Sequence, residues 1–144
     1  MLSDRFSDSN PIIMSHRLID QSLLIPGSNI AFPENSLEGL DSFLSYVHDM
    51  STKAPHLYFG LECDIQSLGN DKECIVIFHD SSLQPKTSAS SNSPLAELSA
   101  NDLDTVYLNS TSSTGDLHKT SFKIPSLKAF LDRMVSFKRE YVAP

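Results

Sequence analysis

The run Cys74-Ile75-Val76-Ile77-Phe78 restricts the fold of this chain more than any other segment. Five consecutive apolar residues give a strand no polar face, so both faces must be covered, as they are in a parallel sheet. The run ends at His79-Asp80. Two further segments read as strands: Ile12–Met14, a short apolar run read as buried and ending at Ser15-His16-Arg17, and Leu57–Ile65, which contains Glu62-Cys63-Asp64. Gly69-Asn70-Asp71 forms a tight turn between the second and third strands.

Helical spacing follows the first strand. After Pro33-Glu34-Asn35-Ser36, apolar residues recur at Leu37, Leu40, Phe43, Leu44 and Val47. This predicts an amphipathic helix capped at Asn35 or Ser36, with Glu38 in its first turn opposing the helix dipole. Ser81–Pro94, rich in Ser, Thr, Pro and Asn, reads as a mobile loop, and Ser110–Gly115 as a second low-complexity loop. Leu95–Val106 suggests a short helix begun near Ser99 and Asn101. Ile124-Pro125-Ser126 caps a last helix with Leu127, Phe130, Leu131, Met134 and Phe137 on one face. The order is that of an α/β protein.

Composition bounds the partners. The chain has 144 residues, 40% of them apolar and 20% charged, enough for a real core. A net charge of -7 with a pI near 5.0 argues against nucleic acid, whose binders present a basic face. No stretch approaches the roughly 20 apolar residues of a transmembrane helix. Met1–Asn10 is polar and lacks the apolar core of a secretory signal. Cys63 and Cys74 have neither metal-ligand spacing nor a disulfide framework. The expected location is the cytoplasm, with reduced thiols.

The polar residues at the three strand ends are the candidate chemistry. Alternate side chains of a strand share a face, so Glu62 and Asp64 point together and Cys63 points the opposite way. Two adjacent carboxylates repel unless a cation lies between them, which makes the pair a seat for Mg²⁺ or Ca²⁺. If the three strands are adjacent and parallel, His16 and His79 emerge at the same C-terminal rim as the carboxylates. Two imidazoles there could deprotonate a nucleophile and protonate a leaving alkoxide, while Arg17 offers a forked donor to a phosphate oxygen. Taken singly, each motif has a bland reading. Glu-x-Asp is usually a solvated face, His-Asp a strand-end turn, and His48, His56 and His118 are surface residues. Only their convergence on one rim is informative.

The order His16-Arg17, Pro33-Glu34-Asn35-Ser36, Glu62-x-Asp64, His79-Asp80, Ile124-Pro125-Ser126-Leu127 resembles the glycerophosphodiester phosphodiesterase family. The spacer before Pro33 and the segment Gly60–Gln66 are more similar to its eukaryotic glycerophosphocholine branch. The resemblance implies the N-terminal part of a (β/α)₈ TIM barrel and a divalent-metal hydrolase. Such an enzyme cleaves a small-molecule glycerophosphodiester to glycerol 3-phosphate and an alcohol. By resemblance His16 and His79 are the acid/base pair, Glu62 and Asp64 metal ligands for Mg²⁺ or Ca²⁺, and Arg17 a phosphate contact. Glu34, Asn35 and Asp80 are site-shaping residues. In the family the glycerol 2-hydroxyl is thought to attack phosphorus first, giving a cyclic phosphate that water opens.

The implied organisation is a polar extension over residues 1–11 and a partial barrel over 12–144, with a loop-rich insertion at 81–123. A closed barrel takes roughly 200 residues or more, so these strands cannot close one. Leu18 stands where the family has a glycine. The family's third metal carboxylate and phosphate-binding lysine, expected on a later strand, are not found before Pro144. A half-barrel exposes strand edges and apolar helix faces, which invite self-association or require a missing C-terminal half. The alternative reading is therefore an inactive, truncated half-barrel acting as an interaction or oligomerising module. Venom-type phospholipase D enzymes share the two-histidine, Glu-x-Asp layout, but Pro33-Glu34-Asn35 favours the first family.

Overall fold

In the computed structural model, residues 11–17, 24–112 and 114–141 are described. The polar segment Met1–Asn10, Leu18 and Pro144 lie outside them. Helix α1 (Leu37–Lys53) forms where the three-and-four spacing requires it. Ser36 is its N-cap: Ser36 Oγ accepts a hydrogen bond from Gly39 N at 3.0 Å. Asn35, the other cap candidate, sits instead in the left-handed region at φ 59°, which Asn tolerates better than most residues. Leu40 and Leu44 face helix α2 (Leu127–Tyr141), where they pack with Phe130. An Arg133–Asp41 pair at 3.3 Å also joins the helices. Leu131, expected on the buried face of α2, is 52% exposed. The buried stripe runs through Leu127, Phe130, Met134 and Phe137, and Leu131 falls to its side.

Strand β1 (Ile12–Ser15) pairs in parallel with β2 (Tyr58–Leu61), Ile12 opposite Tyr58 and Ser15 opposite Leu61. Helix α1 lies between them in sequence, the long crossover that parallel pairing needs. Two expectations change here. Ile12, Ile13 and Met14 are exposed rather than buried, because among the described residues β1 has one strand neighbour and no covering layer over these side chains. The second strand is also not continuous. It breaks at Glu62-Cys63-Asp64 and resumes as β3 (Ile65–Ser67).

Strand β4 (Ile75–Ile77) pairs with β3 antiparallel, not parallel. The connection Leu68–Cys74 has seven residues, too few for a parallel crossover but ample for a hairpin. Gly69 enables the turn to pack. Its N–H bonds Leu95 O, and a Cβ there would lie 1.6 Å from Ala96 O. The expectation that the apolar run is covered on both faces holds from Val76 to Phe78, while Ile75 is 37% exposed. Val76 and Phe78 enter one hydrophobic cluster and Ile77 enters another, so β4 is the wall between two cores.

Residues 81–123 are more ordered than their composition suggests. Leu83 and Thr87 are buried, and isolated bridges join Ser82 to Pro94 and Thr87 to Leu108. The expected helix over 95–106 is two 3₁₀ turns, Leu95–Glu97 and Ala100–Leu103, the second closed by a Ser99–Asp102 capping box. What reads as a loop at Ser110–Gly115 is the end of a hairpin. Its strands are β5 (Tyr107–Thr111) and β6 (Leu117–Lys123). Val106, Leu108 and Ser110 alternate inward, a period of two that Ser and Thr disguise. Of the three histidines read as surface residues, His56 is exposed, but His48 within α1 and His118 within β6 are half-buried. The described residues form three two-stranded sheets and no closed barrel. No helix among them is long and apolar enough to cross a membrane.

Candidate active site

Because β1 and β2 are parallel, their C-terminal ends open on one rim. His16 and Arg17 follow β1, and Glu62-Cys63-Asp64 follows β2. The two ends are stitched by backbone: Glu62 N donates to Ser15 O at 2.9 Å, and Arg17 N donates to Glu62 Oε2 at 2.9 Å. Arg17 holds φ 53°, a left-handed conformation uncommon for a residue with a long side chain. That turn aims its N–H at the Glu62 carboxylate.

The Arg17 guanidinium lies among carboxylates. Its Nε is 3.6 Å from Asp64 Oδ2 and its Nη1 is 3.9 Å from Glu34 Oε2. Lys86 Nζ approaches the same Glu34 oxygen at 3.3 Å. Charges therefore alternate along a line Asp64, Arg17, Glu34, Lys86. His16 Nε2 lies 3.8 Å from Glu62 Oε2, and the His16 side chain is largely exposed.

Asn35 locks this arrangement from below. It is fully buried. Its N–H donates to Arg17 O at 2.8 Å, its Nδ2 to Asp64 Oδ2 at 3.2 Å, and its Oδ1 accepts from Asp64 N at 3.3 Å. One residue thus fixes the Arg17 turn through its backbone N–H and the Asp64 carboxylate through its side-chain amide. Cys63, between the two acids, packs toward the core with Leu61 beside it. Burial pushes its thiol pKa up, and the Glu62 and Asp64 charges push it further. The alternation read from the sequence is thus kept although the segment is not a strand.

His79 and Asp80 follow β4 and form a pair of their own, Nδ1 to Oδ1 at 2.5 Å. Phe78 N donates to Asp64 O at 2.9 Å, which sets this segment beside Asp64. No hydrogen bond or ion pair joins the His79 ring to Glu62 or Asp64 among the described residues. The segment is held by Gln66, a residue that reasoning from sequence missed. Its Nε2 faces three carbonyl oxygens: Phe78 at 3.1 Å, His79 at 2.6 Å and Asp80 at 2.9 Å. Lys86 and Asn109 were missed as well, because they lie in the stretch 81–123 that reads as a loop-rich insertion.

The donor set bears on a divalent cation. Glu62 Oε2 and Asp64 Oδ2 each accept a protein hydrogen bond, which leaves each carboxylate with lone pairs for a cation. No group of three or more His, Cys, Asp or Glu side chains gathers in a metal-holding arrangement among the described residues. Two carboxylates fit Mg²⁺ or Ca²⁺ only as part of a shell of roughly six oxygens, the others coming from water or substrate. A groove of about 560 Å³ between Cys74-Ile75 and Leu127–Asp132 contains none of these residues.

No protein-family model matches the sequence, and no curated protein does. Among solved structures the chain is similar to a glycerophosphodiester phosphodiesterase from Agrobacterium tumefaciens str. C58. The TM-score is 0.57 at 17% identity, over 89% of this chain and 43% of that one. The likeness is one of fold, and the chain spans less than half the length of that enzyme.

Proposed function

We propose that this chain carries the front half of a metal-dependent glycerophosphodiester hydrolase site. The observation that carries the reading is the rim itself: parallel β1 and β2 deliver His16, Arg17, Glu62 and Asp64 to one edge, with the His79–Asp80 segment hydrogen-bonded alongside. The similarity in fold to a glycerophosphodiester phosphodiesterase agrees with it. The five ordered motifs supply the substrate class, a glycerophosphodiester such as glycerophosphocholine. The eukaryotic branch rests on Gly60–Gln66 and the spacer before Pro33 alone.

In this reading Arg17 holds a non-bridging phosphate oxygen while Asp64 and Glu34 fix its guanidinium. The His79 imidazole, held at Nδ1 by Asp80, presents Nε2 as the base toward the glycerol 2-hydroxyl. That hydroxyl attacks phosphorus and the ester bond to the head group breaks. The departing alkoxide takes a proton from His16, and water then opens the cyclic phosphate to glycerol 3-phosphate. A divalent cation held by Glu62 and Asp64 would neutralise charge developing on the phosphate. The free thiols suit a reducing compartment, and we place the protein in the cytoplasm.

The test is release of glycerol 3-phosphate from glycerophosphocholine with Mg²⁺ or Ca²⁺, before and after chelation. Turnover that chelation stops, and that His16→Ala and His79→Ala each cut by 100-fold or so, is the expected result. Turnover that survives both substitutions would sink the assignment. A second reading is favoured by the exposed Ile12, Ile13, Met14, Leu131 and Val135. Here the chain is an inactive half-barrel that associates with a copy of itself or with a separate C-terminal half. A concentration-dependent oligomer by light scattering, together with no turnover, selects it.

A further inference from the structure

Beyond Glu34 the line of alternating charges opens into a cavity of about 230 Å³, between the Ala31–Glu34 segment and the β5 strand end. Glu34, Lys86 and Asn109 line it, with Phe32, Thr111 and Ser112. The Glu34 side chain is only 10% exposed. Its Oε2 faces both Lys86 and Arg17, while its Oε1 is buried and has no hydrogen-bond partner. Asn109 repeats the pattern. Its Nδ2 donates to Pro85 O at 3.0 Å and Thr87 O at 2.7 Å, whereas its Oδ1 is buried without a partner. Two buried acceptors without donors therefore belong to side chains that line one cavity. Buried polar atoms left unpaired are uncommon, and a ligand that supplies donors relieves them.

We propose that this cavity is a binding site for a polyhydroxylated alcohol. Hydroxyl groups donate to Glu34 Oε1 and Asn109 Oδ1 after a small rotation of each side chain, and Lys86 Nζ donates to a hydroxyl oxygen. A quaternary ammonium is a poor occupant: it has no N–H to give, Lys86 repels it, and Phe32 is the single aromatic ring among the lining residues. The volume suits a small head group rather than a drug-sized ligand. Assigning the cavity to the leaving alcohol of a phosphodiester rests on the function proposed above, since it adjoins Arg17 through Glu34. Its capacity to hold a polyol does not.

The experiment adds free myo-inositol or choline to the ¹⁵N-labelled full chain and follows its amide resonances. Inositol should shift the Asn109 side-chain amide and the Thr111 and Ser112 backbone amides, and choline should leave them in place. Lys86→Met and Glu34→Gln should each weaken inositol binding about fivefold, the loss of one hydrogen bond. Equal shifts with choline, no shifts with inositol, or shifts unchanged in both variants would overturn the site. The comparison of ligands on the unaltered chain decides the matter even if a variant fails to fold. Inositol-specific shifts without turnover of any diester support the cavity and sink hydrolysis. Faster turnover of glycerophosphocholine than of glycerophosphoinositol supports hydrolysis and sinks the assignment of the cavity to the leaving alcohol.

Discussion

The two faces of β4 meet different kinds of core. On one face Val76 and Phe78 join a cluster that gathers Leu68, Leu83, Leu95, Leu98, Val106, Leu108 and Ile124, all buried. Most of these residues come from the segment that reads as an insertion. On the other face Ile77 joins Leu40, Leu44 and Phe130, and half-buried residues surround them. Exposed Ile12, Ile13, Met14, Leu131 and Val135 belong to β1 and α2 on this second side. The cluster on the insertion side is the larger and more fully buried, although Leu117 of β6 is 50% exposed, whereas the side carrying the candidate rim is more open. The elements that carry the recognisable motifs are thus the more open part of the described residues.

The comparison breaks most readily at Phe78. Phe78→Ala opens the closed cluster and should cost about 3–5 kcal/mol in urea unfolding, as large-to-small changes in packed cores do. Gly69→Ala should cost about 1–3 kcal/mol, because the added Cβ collides with the Ala96 backbone rather than with a side chain that can move. A neutral Gly69→Ala would show that the turn and the 3₁₀ segment are not packed as described. On the open side Ile13→Ser should change stability by less than about 0.5 kcal/mol while reducing any self-association seen by light scattering. A loss of several kcal/mol there would mean that β1 is covered after all.

Smaller effects sharpen the same contrast. Hydrogen bonds from the Ser99 side chain and backbone hold the Asp102 carboxyl below its ordinary pKa. A depressed acid stabilises the fold above its unfolded pKa and loses that effect as pH falls through the folded value. Asp102→Asn should therefore lower the thermal midpoint slightly at pH 6, and the difference should vanish toward pH 2. The two thiols report the two faces directly. Cys74 packs against the closed cluster, with its pKa raised by burial and then by Asp71. Cys63 packs against the other, raised by burial and then by Glu62 and Asp64. Glu62→Gln with Asp64→Asn should speed iodoacetamide alkylation of Cys63 at pH 8 and leave Cys74 unchanged. Equal rates before and after would separate Cys63 from the acids.

Much of the candidate rim was legible because it is local. His16-Arg17, Glu62-x-Asp64 and His79-Asp80 each follow an apolar strand signal, and strand ends are where such residues become useful. The face of α1 follows from spacing alone, and the choice of Ser36 over Asn35 as its cap was left to the structure. The β5–β6 hairpin was hidden because its inward positions include Ser110, which is buried and donates to Ala31 O at 2.5 Å. A serine read by composition signals a loop, and only a partner distant in sequence makes it a core residue. Gln66, Lys86 and Asn109 were invisible for the same reason: each acts on groups 12 to 52 positions away.

What the amino-acid sequence determined by itself is the set of elements whose causes lie within a turn or a strand: α1 with its cap narrowed to Asn35 or Ser36, α2, the apolar run through Phe78, and the polar residues at each strand end. Pairing direction was not among them: the apolar run suggests a parallel sheet, whereas β3 and β4, once the break before Ile65 is seen, are joined by seven residues that permit only a hairpin. Tertiary structure decided which face of each strand was covered, the break at Glu62–Asp64, and the line of charges from Asp64 to Lys86. The physical reason is range. Capping and periodicity act over a few residues, whereas burial and ion pairing depend on which distant segment arrives to exclude water or supply the opposite charge.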